Sequence, residues 1–363
     1  MTTPILILDG GLGTSLEEKY HIKFGPSTPL WSSDLVVSAP HTLLQCQADF
    51  GRLPVDILLT ATYQVSIEGF ANTCESHASF PEGIDAANIP QFLERAVCIA
   101  ESATRQQQRQ QQPGGRAASA GSVASVALSL GPYGACMSPS QEYSGRYDEK
   151  HDSQDALYEW HRERLALFAK VDGLSRRVAY LAMETIPRVD EIAAMRRALD
   201  TVPELADVRF WMSCLYPGEG EALPTGESVK EALRTMLDKN LARSLPWGVG
   251  INCTNVRKVP VLLQRYEEAM EEMVSEGLVE EWPALVLYPD GTKGEVYNST
   301  TKKWEMPQDI PDKWAVQSDV PWEQQLADAV RATQSRGKWK QIVVGGCCRA
   351  TSEDIARLRM ILL

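Results

Sequence analysis

The apolar residues of this chain gather in eight short runs that are rich in aliphatic and β-branched side chains. The runs are Ile5–Leu8, Asp56–Tyr63, Val123–Leu130, Ala179–Thr185, Arg209–Leu215, Gly248–Cys253, Ala284–Leu287 and Gln341–Gly345. Each is nearly continuous in apolar character, which is typical of parallel strands that are buried on both faces. The pattern therefore predicts eight buried parallel strands.

Longer segments with a helical spacing of apolar residues separate these runs. Ser153–Val171, Arg188–Leu199 and Val259–Val274 each place apolar residues along one face of a helix. Eight strand–helix alternations are typical of a closed (β/α)8 barrel, the TIM barrel of the α/β class, and fit it better than an open sheet. No break in composition separates two domains, so we expect residues 1–363 to form one barrel domain.

Two polar segments predict insertions into this barrel. Gln106–Gly115 reads QQQRQQQPGG and is of low complexity, which predicts a mobile surface loop. Asp290–Pro321 is polar, contains several prolines and follows the seventh strand, where the loops of a barrel overhang the active-site face. This second segment is predicted to be either a lid over the site or an ordinary surface loop.

The composition narrows the range of partners and compartments. The chain carries 36 Lys and Arg against 48 Asp and Glu, a formal net charge of −12. An acidic surface repels phosphate groups, which argues against nucleic acid and anionic membranes and leaves small molecules. The N-terminal sequence resembles neither a signal peptide nor an anchor, and no stretch approaches the roughly 20 apolar residues of a membrane helix. Eight cysteines then predict reduced thiols in the cytoplasm rather than a disulfide framework. The oligomeric state stays open.

Polar and thiol side chains follow the predicted strands, where barrel enzymes place their chemistry. They are Asp9, Tyr63, Tyr133, Glu184, Asn252, Cys253, Cys347 and Cys348.

The thiols suggest a metal site at the barrel mouth. Cys253 ends the sixth strand and Cys347 the eighth, and alternate strands contribute to the same interior layer, so the two can face each other. Neighbouring residues of a strand point to opposite faces, so Cys348 can join them only where the chain leaves strand geometry, which Gly345 and Gly346 permit. Zinc favours three such ligands and an exchangeable fourth position in catalytic sites. Three small buried core residues are the alternative interpretation.

Six motifs, in this order, resemble the homocysteine S-methyltransferase family: DGGLGT, TATYQ, GPYGA, ET after the fourth strand, GINC and GGCCR. The family shares its barrel with betaine–homocysteine methyltransferase and with the N-terminal part of cobalamin-dependent methionine synthase. The resemblance implies that Cys253, Cys347 and Cys348 bind a zinc ion. It also implies that Glu184 binds the ammonium group of homocysteine, with Asp9 close to the same site.

The implied chemistry is methyl transfer to the thiol of homocysteine, which forms methionine. A free thiol has a pKa near 8.5, and binding to zinc stabilises the thiolate, which is the nucleophile. Some assignments stay open at this point. Asp9 is alternatively a turn or a cap before a helix over Leu12–Lys19, and Glu184 a surface carboxylate. Tyr63 and Tyr133 either line the pocket or pack at its rim.

The methyl donor is expected to be a sulfonium compound, S-methylmethionine or S-adenosylmethionine. Betaine-using relatives carry a tyrosine directly after the strand-four glutamate, whereas this chain carries Thr185. That difference leaves the resting fourth zinc ligand open between water and Asn252. The aromatic faces of Tyr63 or Trp31 are candidates to hold the cation. The alternatives are selenocysteine as acceptor, a metal-independent lyase or aldolase that uses Lys293 or a carboxylate, and a sensor with a structural zinc.

Overall fold

The chain was analysed as a computed structural model. The residues that it describes are 2–25, 28–50, 55–73, 79–110, 123–292, 295–298, 303–305 and 320–363.

Eight parallel strands form the wall of a barrel. They are β1 (Ile5–Ile7), β2 (Ile57–Leu59), β3 (Ser125–Leu130), β4 (Tyr180–Ile186), β5 (Arg209–Cys214), β6 (Gly248–Asn255), β7 (Ala284–Asp290) and β10 (Ile342–Val344). Their order around the sheet is β1-β10-β7-β6-β5-β4-β3-β2, and a parallel bridge between Leu8 and Ile57 joins its two edges. The predicted eight-stranded barrel is therefore confirmed, with each predicted run on its strand.

Helices follow the strands and pack around the barrel. They are α1 (Leu12–Tyr20), α2 (Leu35–Ser38), α3 (Pro40–Asp49), α4 (Ile67–Ala71), α5 (Ile89–Gln110), α6 (Gln154–Phe168), α7 (Leu174–Arg177), α8 (Val189–Leu199), α9 (Val229–Leu237), α10 (Val259–Ser275), α11 (Trp322–Arg336) and α12 (Ser352–Leu362). Side-chain caps define several of their starts, because a hydroxyl at the N-cap satisfies a free backbone N–H. Ser153 caps α6 in this way, and Ser228 forms a capping box with Glu231 at α9. None of the described helices has the length and apolar character that a membrane span requires.

Two apolar layers hold the barrel together. The larger fills the space between the strands and the helices. The smaller lies inside the barrel and consists of Leu8, Ile57, Ala127, Tyr180, Ala182, Trp211, Val286, Tyr288 and Val343. The interior is therefore a packed core that forms the floor beneath the C-terminal ends of the strands, as in other barrels of this class.

The first predicted insertion begins inside a helix instead of a loop. Helix α5 continues to Gln110, so the N-terminal half of the Gln106–Gly115 segment is helical. Glutamine and arginine are good helix formers, and in this chain their propensity outweighs the low complexity that predicted a loop. Residues 111–115 lie outside the described residues.

The second predicted insertion starts later than expected, because β7 runs to Asp290. A short antiparallel hairpin follows, with β8 over Val296–Asn298 and β9 over Lys303–Glu305. Most of the remaining segment, including Lys293, lies outside the described residues. Whether it acts as a lid stays a prediction.

A glycine in β6 allows two barrel strands to approach closely. A Cβ on Gly250 would overlap the carbonyl oxygen of Val286 in the neighbouring strand β7. We expect Gly250→Ala to lower the free energy of unfolding by roughly 3 kcal/mol, because rigid backbone must move to admit the methyl group. Urea denaturation measures this change. Gly218→Ala is the matched control, since no atom lies within 4 Å of its added Cβ. Equal stability of the two variants would contradict the close approach.

Candidate active site

A cavity of about 620 Å³ opens at the C-terminal ends of the barrel strands. Six of the residues predicted from the sequence line it: Trp31, Tyr63, Glu184, Cys253, Cys347 and Cys348. Asp9 and Asn252 are not among the lining residues and lie behind the wall.

The three predicted cysteines form one cluster. The Sγ atoms of Cys253, Cys347 and Cys348 all lie within 4.8 Å of one another. Cys253 and Cys347 are joined as a disulfide with their Cα atoms 5.4 Å apart, and Cys348 is a free thiol. This pairing differs from the expected free thiols, because the barrel brings the two strand ends into direct contact. All three sulfurs would be available to a metal ion only if the pair were reduced.

Left-handed backbone at two strand ends turns side chains toward this cluster. Cys253 has a φ of 44° and Thr185 a φ of 62°. Each lies where the pairing register shifts, on β6 and β4 respectively. A bulge of this kind re-aims a side chain, and a non-glycine residue in this conformation costs about 1–3 kcal/mol. The Thr185 Oγ1 atom lies 4.0 Å from the Cys253 Sγ atom, so the two bulges meet at the sulfur cluster.

Asn252 holds the two bulges together. Its side-chain oxygen accepts a hydrogen bond from the Thr185 backbone N–H at 2.8 Å, and its amide donates to Thr185 Oγ1 at 2.7 Å. The same amide nitrogen is 4.0 Å from Cys347 Sγ. Asn252 is fully buried, and its carboxamide is occupied by Thr185. The structure therefore places Asn252 where it positions cysteines rather than where it would contact a ligand.

Backbone hydrogen bonds fix the loop that carries the adjacent cysteines. The N–H of Cys347 donates to the carbonyl of Pro289 at 2.9 Å, and the N–H of Gly291 donates to the carbonyl of Cys348 at 2.8 Å. Arg349 then adopts a left-handed φ of 61°. The backbone is therefore no longer extended at these cysteines, as predicted. Its hydrogen bonds to the end of β7 hold it in this conformation.

Gly345 and Gly346 serve a different purpose from the predicted one. A Cβ on Gly345 would lie 2.6 Å from the carbonyl oxygen of Asp9, and a Cβ on Gly346 would overlap that of Ala350. The two glycines are therefore required by close packing against β1 and the following turn. Neither glycine has a positive φ; the left-handed residue of this loop is Arg349.

Glu184 sits at the floor of the cavity in a network that the sequence did not reveal. The Ser129 hydroxyl donates to its carboxylate, and Tyr288 also hydrogen-bonds to it. Glu184 is 4% exposed, and burial raises the pKa of its carboxyl to about 7. The surface-carboxylate alternative is thus wrong. Tyr288 is the first residue after the predicted seventh strand, so the apolar pattern did not mark it as a site residue.

Asp9 lies below the cavity and links β1 to β2. One of its carboxylate oxygens accepts the Leu59 N–H at 2.9 Å, and the other is buried with no hydrogen-bond partner. Burial raises the pKa of Asp9 well above its usual range, with the Glu184 charge adding to the effect. Helix α1 has Gly11 at its N-cap and no side-chain cap, so the helix-cap alternative for Asp9 is wrong.

A buried arginine sets the position of Tyr63. The Arg164 guanidinium donates to the carbonyls of Tyr63 and Gly131, both at 2.6 Å, which ties the ends of β2 and β3 together. A Cβ on Gly131 would lie 2.6 Å from the Tyr63 ring, so the ring packs directly on that backbone. Tyr63 therefore lines the pocket, which decides between its two predicted positions.

Glu191 anchors both ends of the loop after β3. It is fully buried and accepts hydrogen bonds from the Tyr133 N–H at 2.6 Å and from the Tyr147 hydroxyl. His161 lies 2.9 Å from the same carboxylate. Tyr133 belongs to this anchor and is not among the residues that line the cavity. Glu191 sits within the predicted helix Arg188–Leu199, where nothing in the pattern marked it.

The cavity wall is acidic. The described residues that line it include Glu68, Glu142 and Glu184 and no lysine, arginine or histidine. Such a wall attracts ligands that carry positive charge.

A profile of the homocysteine S-methyltransferase family matches residues 6–362 of the chain. The chain belongs to the homocysteine S-methyltransferase family. The resemblance that the six motifs indicated is confirmed, and this methyltransferase is an enzyme of the predicted class.

Named relatives cover nearly the whole methyltransferase chain. A betaine-homocysteine S-methyltransferase of Drosophila melanogaster is 29% identical over 99% of this chain and 94% of that protein. A homocysteine S-methyltransferase of Escherichia coli is 28% identical over 98% of this chain and 94% of that protein. The crystal structure of the homocysteine methyltransferase MmuM from Escherichia coli in its metallated form is 26% identical, with a TM-score of 0.66 over 98% of this chain and 96% of that one. Its oxidized form is 27% identical, with a TM-score of 0.67 over 98% and 95%.

Burial of Glu184 makes the stability of this methyltransferase depend on pH. The pKa of the carboxyl rises from 4.5 to about 7 on folding, so the folded state holds a proton that the unfolded chain releases. Stability from this group is complete below pH 4.5 and is lost as the pH rises through 7. We expect Glu184→Gln to be more stable than the wild type by about 3 kcal/mol at pH 8, with little difference at pH 4.5.

Urea denaturation at the two pH values measures this difference. Glu163→Gln is the control, because Glu163 is an exposed glutamate of helix α6. A wild-type-like pH dependence in Glu184→Gln would show that the buried carboxyl does not carry the effect.

Proposed function

We propose that this methyltransferase binds one zinc ion through Cys253, Cys347 and Cys348 and transfers a methyl group from a sulfonium donor to homocysteine. The observation that carries the proposal is the convergence of three sulfurs within 4.8 Å at the wall of an acidic cavity. Among the residues that the structure describes, no other group of three potential ligands lies as close together.

The donor set fits zinc. Thiolates are soft ligands that select zinc over magnesium or calcium, and three protein ligands with an open position are typical of catalytic zinc sites. A metal ion bound there would favour the thiolate form of a thiol that joins it. The name of the metallated MmuM structure supports a metal in this family. Because the cluster must stay reduced to bind metal, we also infer a reducing compartment, the cytoplasm.

The chain's own residues hold the cluster in position. Asn252 fixes Thr185, and the two bulges direct Cys253 toward Cys347. Contacts of this kind orient the ligand side chains of a metal site. Asn252 acts as a positioning residue in this proposal, since its carboxamide oxygen already accepts the Thr185 N–H.

Homocysteine is held at its two charged ends. Glu184 lies in the cavity wall and presents a carboxylate to the ammonium group. An ammonium ion there would lower the pKa of Glu184 and keep it ionised. The first turn of α1, with Leu12 and Gly13 in the cavity wall, offers backbone N–H groups to the carboxylate of the substrate.

The acidic wall favours a donor with net positive charge. S-methylmethionine and S-adenosylmethionine carry an ammonium and a sulfonium against one carboxylate. Betaine carries one positive charge and one carboxylate, and that carboxylate would meet no basic side chain among the described residues of the wall. Tyr63 and Trp31 line the same cavity and can face the cation with their rings. Betaine is the second candidate, because the Drosophila melanogaster relative is named for it.

The reaction is an in-line transfer between two sulfurs. The homocysteine thiolate attacks the methyl carbon, the bond from that carbon to the sulfonium sulfur breaks, and its electron pair stays on the donor as a neutral thioether. The thiol proton leaves to solvent. The protein aligns the two sulfurs and excludes water from them, which are large contributions to a displacement of this kind.

Zinc content tests the metal site. We expect Cys347→Ser to lose almost all of the metal, from about one ion per chain, because a serine hydroxyl is a poor zinc ligand at neutral pH. The barrel core does not include the ion, so thermal unfolding should change little. Metal analysis after dialysis gives the result, with the exposed Cys98→Ser as control. Full zinc content or full activity in a metal-free Cys347→Ser protein would contradict the site.

A panel of donors tests the reaction. Reduced, zinc-loaded protein is supplied with homocysteine and, in separate reactions, S-methylmethionine, S-adenosylmethionine, betaine or methyltetrahydrofolate. We expect methionine to form with the two sulfonium compounds, S-methylmethionine being the better. Turnover with betaine alone would overturn the sulfonium proposal and keep the metal site. With no turnover of homocysteine, selenocysteine is the next acceptor to test.

A further inference from the structure

Glu142 is a buried carboxylate that the proposed reaction has not yet used. It lines the cavity and is 7% exposed. The Ser140 side chain and the backbone N–H of Glu142 hydrogen-bond to its carboxyl group, but the Oε2 atom is buried without a hydrogen-bond partner. Burial raises the pKa of its carboxyl to about 7. A buried carboxylate with an unsatisfied oxygen is costly in the absence of a ligand. Its presence in the wall therefore points to a ligand with positive charge.

The loop that carries Glu142 is held firmly. The N–H of Gln141 donates to the carbonyl of Gly134 at 2.8 Å, and the N–H of Gly145 donates to the carbonyl of Gln141 at 2.8 Å. Glu191 fixes the loop at both ends, as described above. The Glu142 carboxylate is thus presented from a rigid turn, which keeps it in place when the cavity is empty.

Glu142 also lies close to the reacting centre. The next residue, Tyr143, hydrogen-bonds to Cys348 of the sulfur cluster. The Glu142 charge also acts on Tyr63, where it adds to burial in raising the pKa of the hydroxyl. Glu142, Tyr63 and the three cysteines therefore line the same cavity, in which donor and acceptor would meet.

The other two acids of the wall are less suited to this position. Glu184 accepts hydrogen bonds from Ser129 and Tyr288 at the cavity floor and, unlike Glu142, has no buried oxygen that lacks a hydrogen-bond partner. Glu68 is exposed at the rim, where water screens its charge. Only Glu142 among them combines a free oxygen with deep burial.

Donor and product differ in one charge. S-methylmethionine and the methionine that it leaves behind share their carbon chain, ammonium and carboxylate, but only the donor carries a positive sulfur. We propose that Glu142 pairs with the sulfonium group and so lets the enzyme bind its donor in preference to the neutral thioether product. This inference rests on the proposed function and assigns the donor subsite within it.

The sulfonium sulfur loses its positive charge during the reaction, and this determines how Glu142 affects KM and kcat. The sulfonium becomes neutral as its bond to the methyl group breaks, so Glu142 stabilises the bound donor more than the transition state. An interaction that is stronger in the ground state lowers KM without raising kcat. Glu142 therefore governs donor binding and leaves the binding of the neutral product almost unaffected.

The test compares Glu142→Gln with the wild type in the reduced, zinc-loaded protein at saturating homocysteine. We expect the KM for S-methylmethionine to rise about 10–100-fold, as for loss of a charge-assisted contact in a desolvated site. The inhibition constant of methionine, competing with S-methylmethionine, should change less than about threefold, and kcat should not fall in proportion to the rise in KM. Glu142→Asp keeps the charge and should restore most of the preference for the donor.

Glu184→Gln is the matched control, because it should raise the KM for homocysteine and leave the preference for donor over product intact. An unchanged donor KM in Glu142→Gln, or an equal weakening of donor and methionine, would overturn this inference while wild-type turnover still supports the proposed function. No turnover of either sulfonium compound by the wild type would overturn the proposed function itself.

Discussion

The hydrogen bonds between Asn252 and Thr185, at 2.8 and 2.7 Å, connect two barrel strands at the point where both leave regular geometry. One residue further along β6, Cys253 is held in a left-handed conformation that directs its sulfur into the cavity. The cysteine cluster depends on this bridge, since a regular strand would leave Cys253 on a different path from Cys347. The strain of two left-handed residues is offset by the packed barrel below them.

A second constraint is the burial of negative charge. Glu184 and Glu142 both have pKa values raised to about 7 by desolvation, and burial also raises the pKa of Asp9. A protein selected only for stability would avoid such groups. In this cavity they make the wall acidic, with no basic side chain among the described lining residues, which favours a ligand with positive charge. Burial of these carboxyl groups lowers the stability of the fold, and the apolar layers of the barrel offset that cost.

Much of the architecture follows from the sequence, because strands buried on both faces must be continuously apolar and the helices between them must be apolar on one side. The expectations that were wrong came from local rules that packing overrode. The Gln106–Gly115 segment was assigned to a loop from composition, yet helix α5 continues to Gln110. Gly345 and Gly346 are predicted to provide backbone freedom, whereas close contact requires them: with the backbone of Asp9 for Gly345 and with the side chain of Ala350 for Gly346.

The sequence by itself determined the barrel, the family and the three cysteines, since each leaves a pattern or motif that is readable along the chain. Only the tertiary structure decided which groups surround those cysteines. Ser129 and Tyr288 meet Glu184 from strands that are distant in sequence, and Glu142 sits on a loop that has no periodic signal. The physical reason is that desolvation and hydrogen bonding across the barrel mouth act between residues that only the closed sheet brings together.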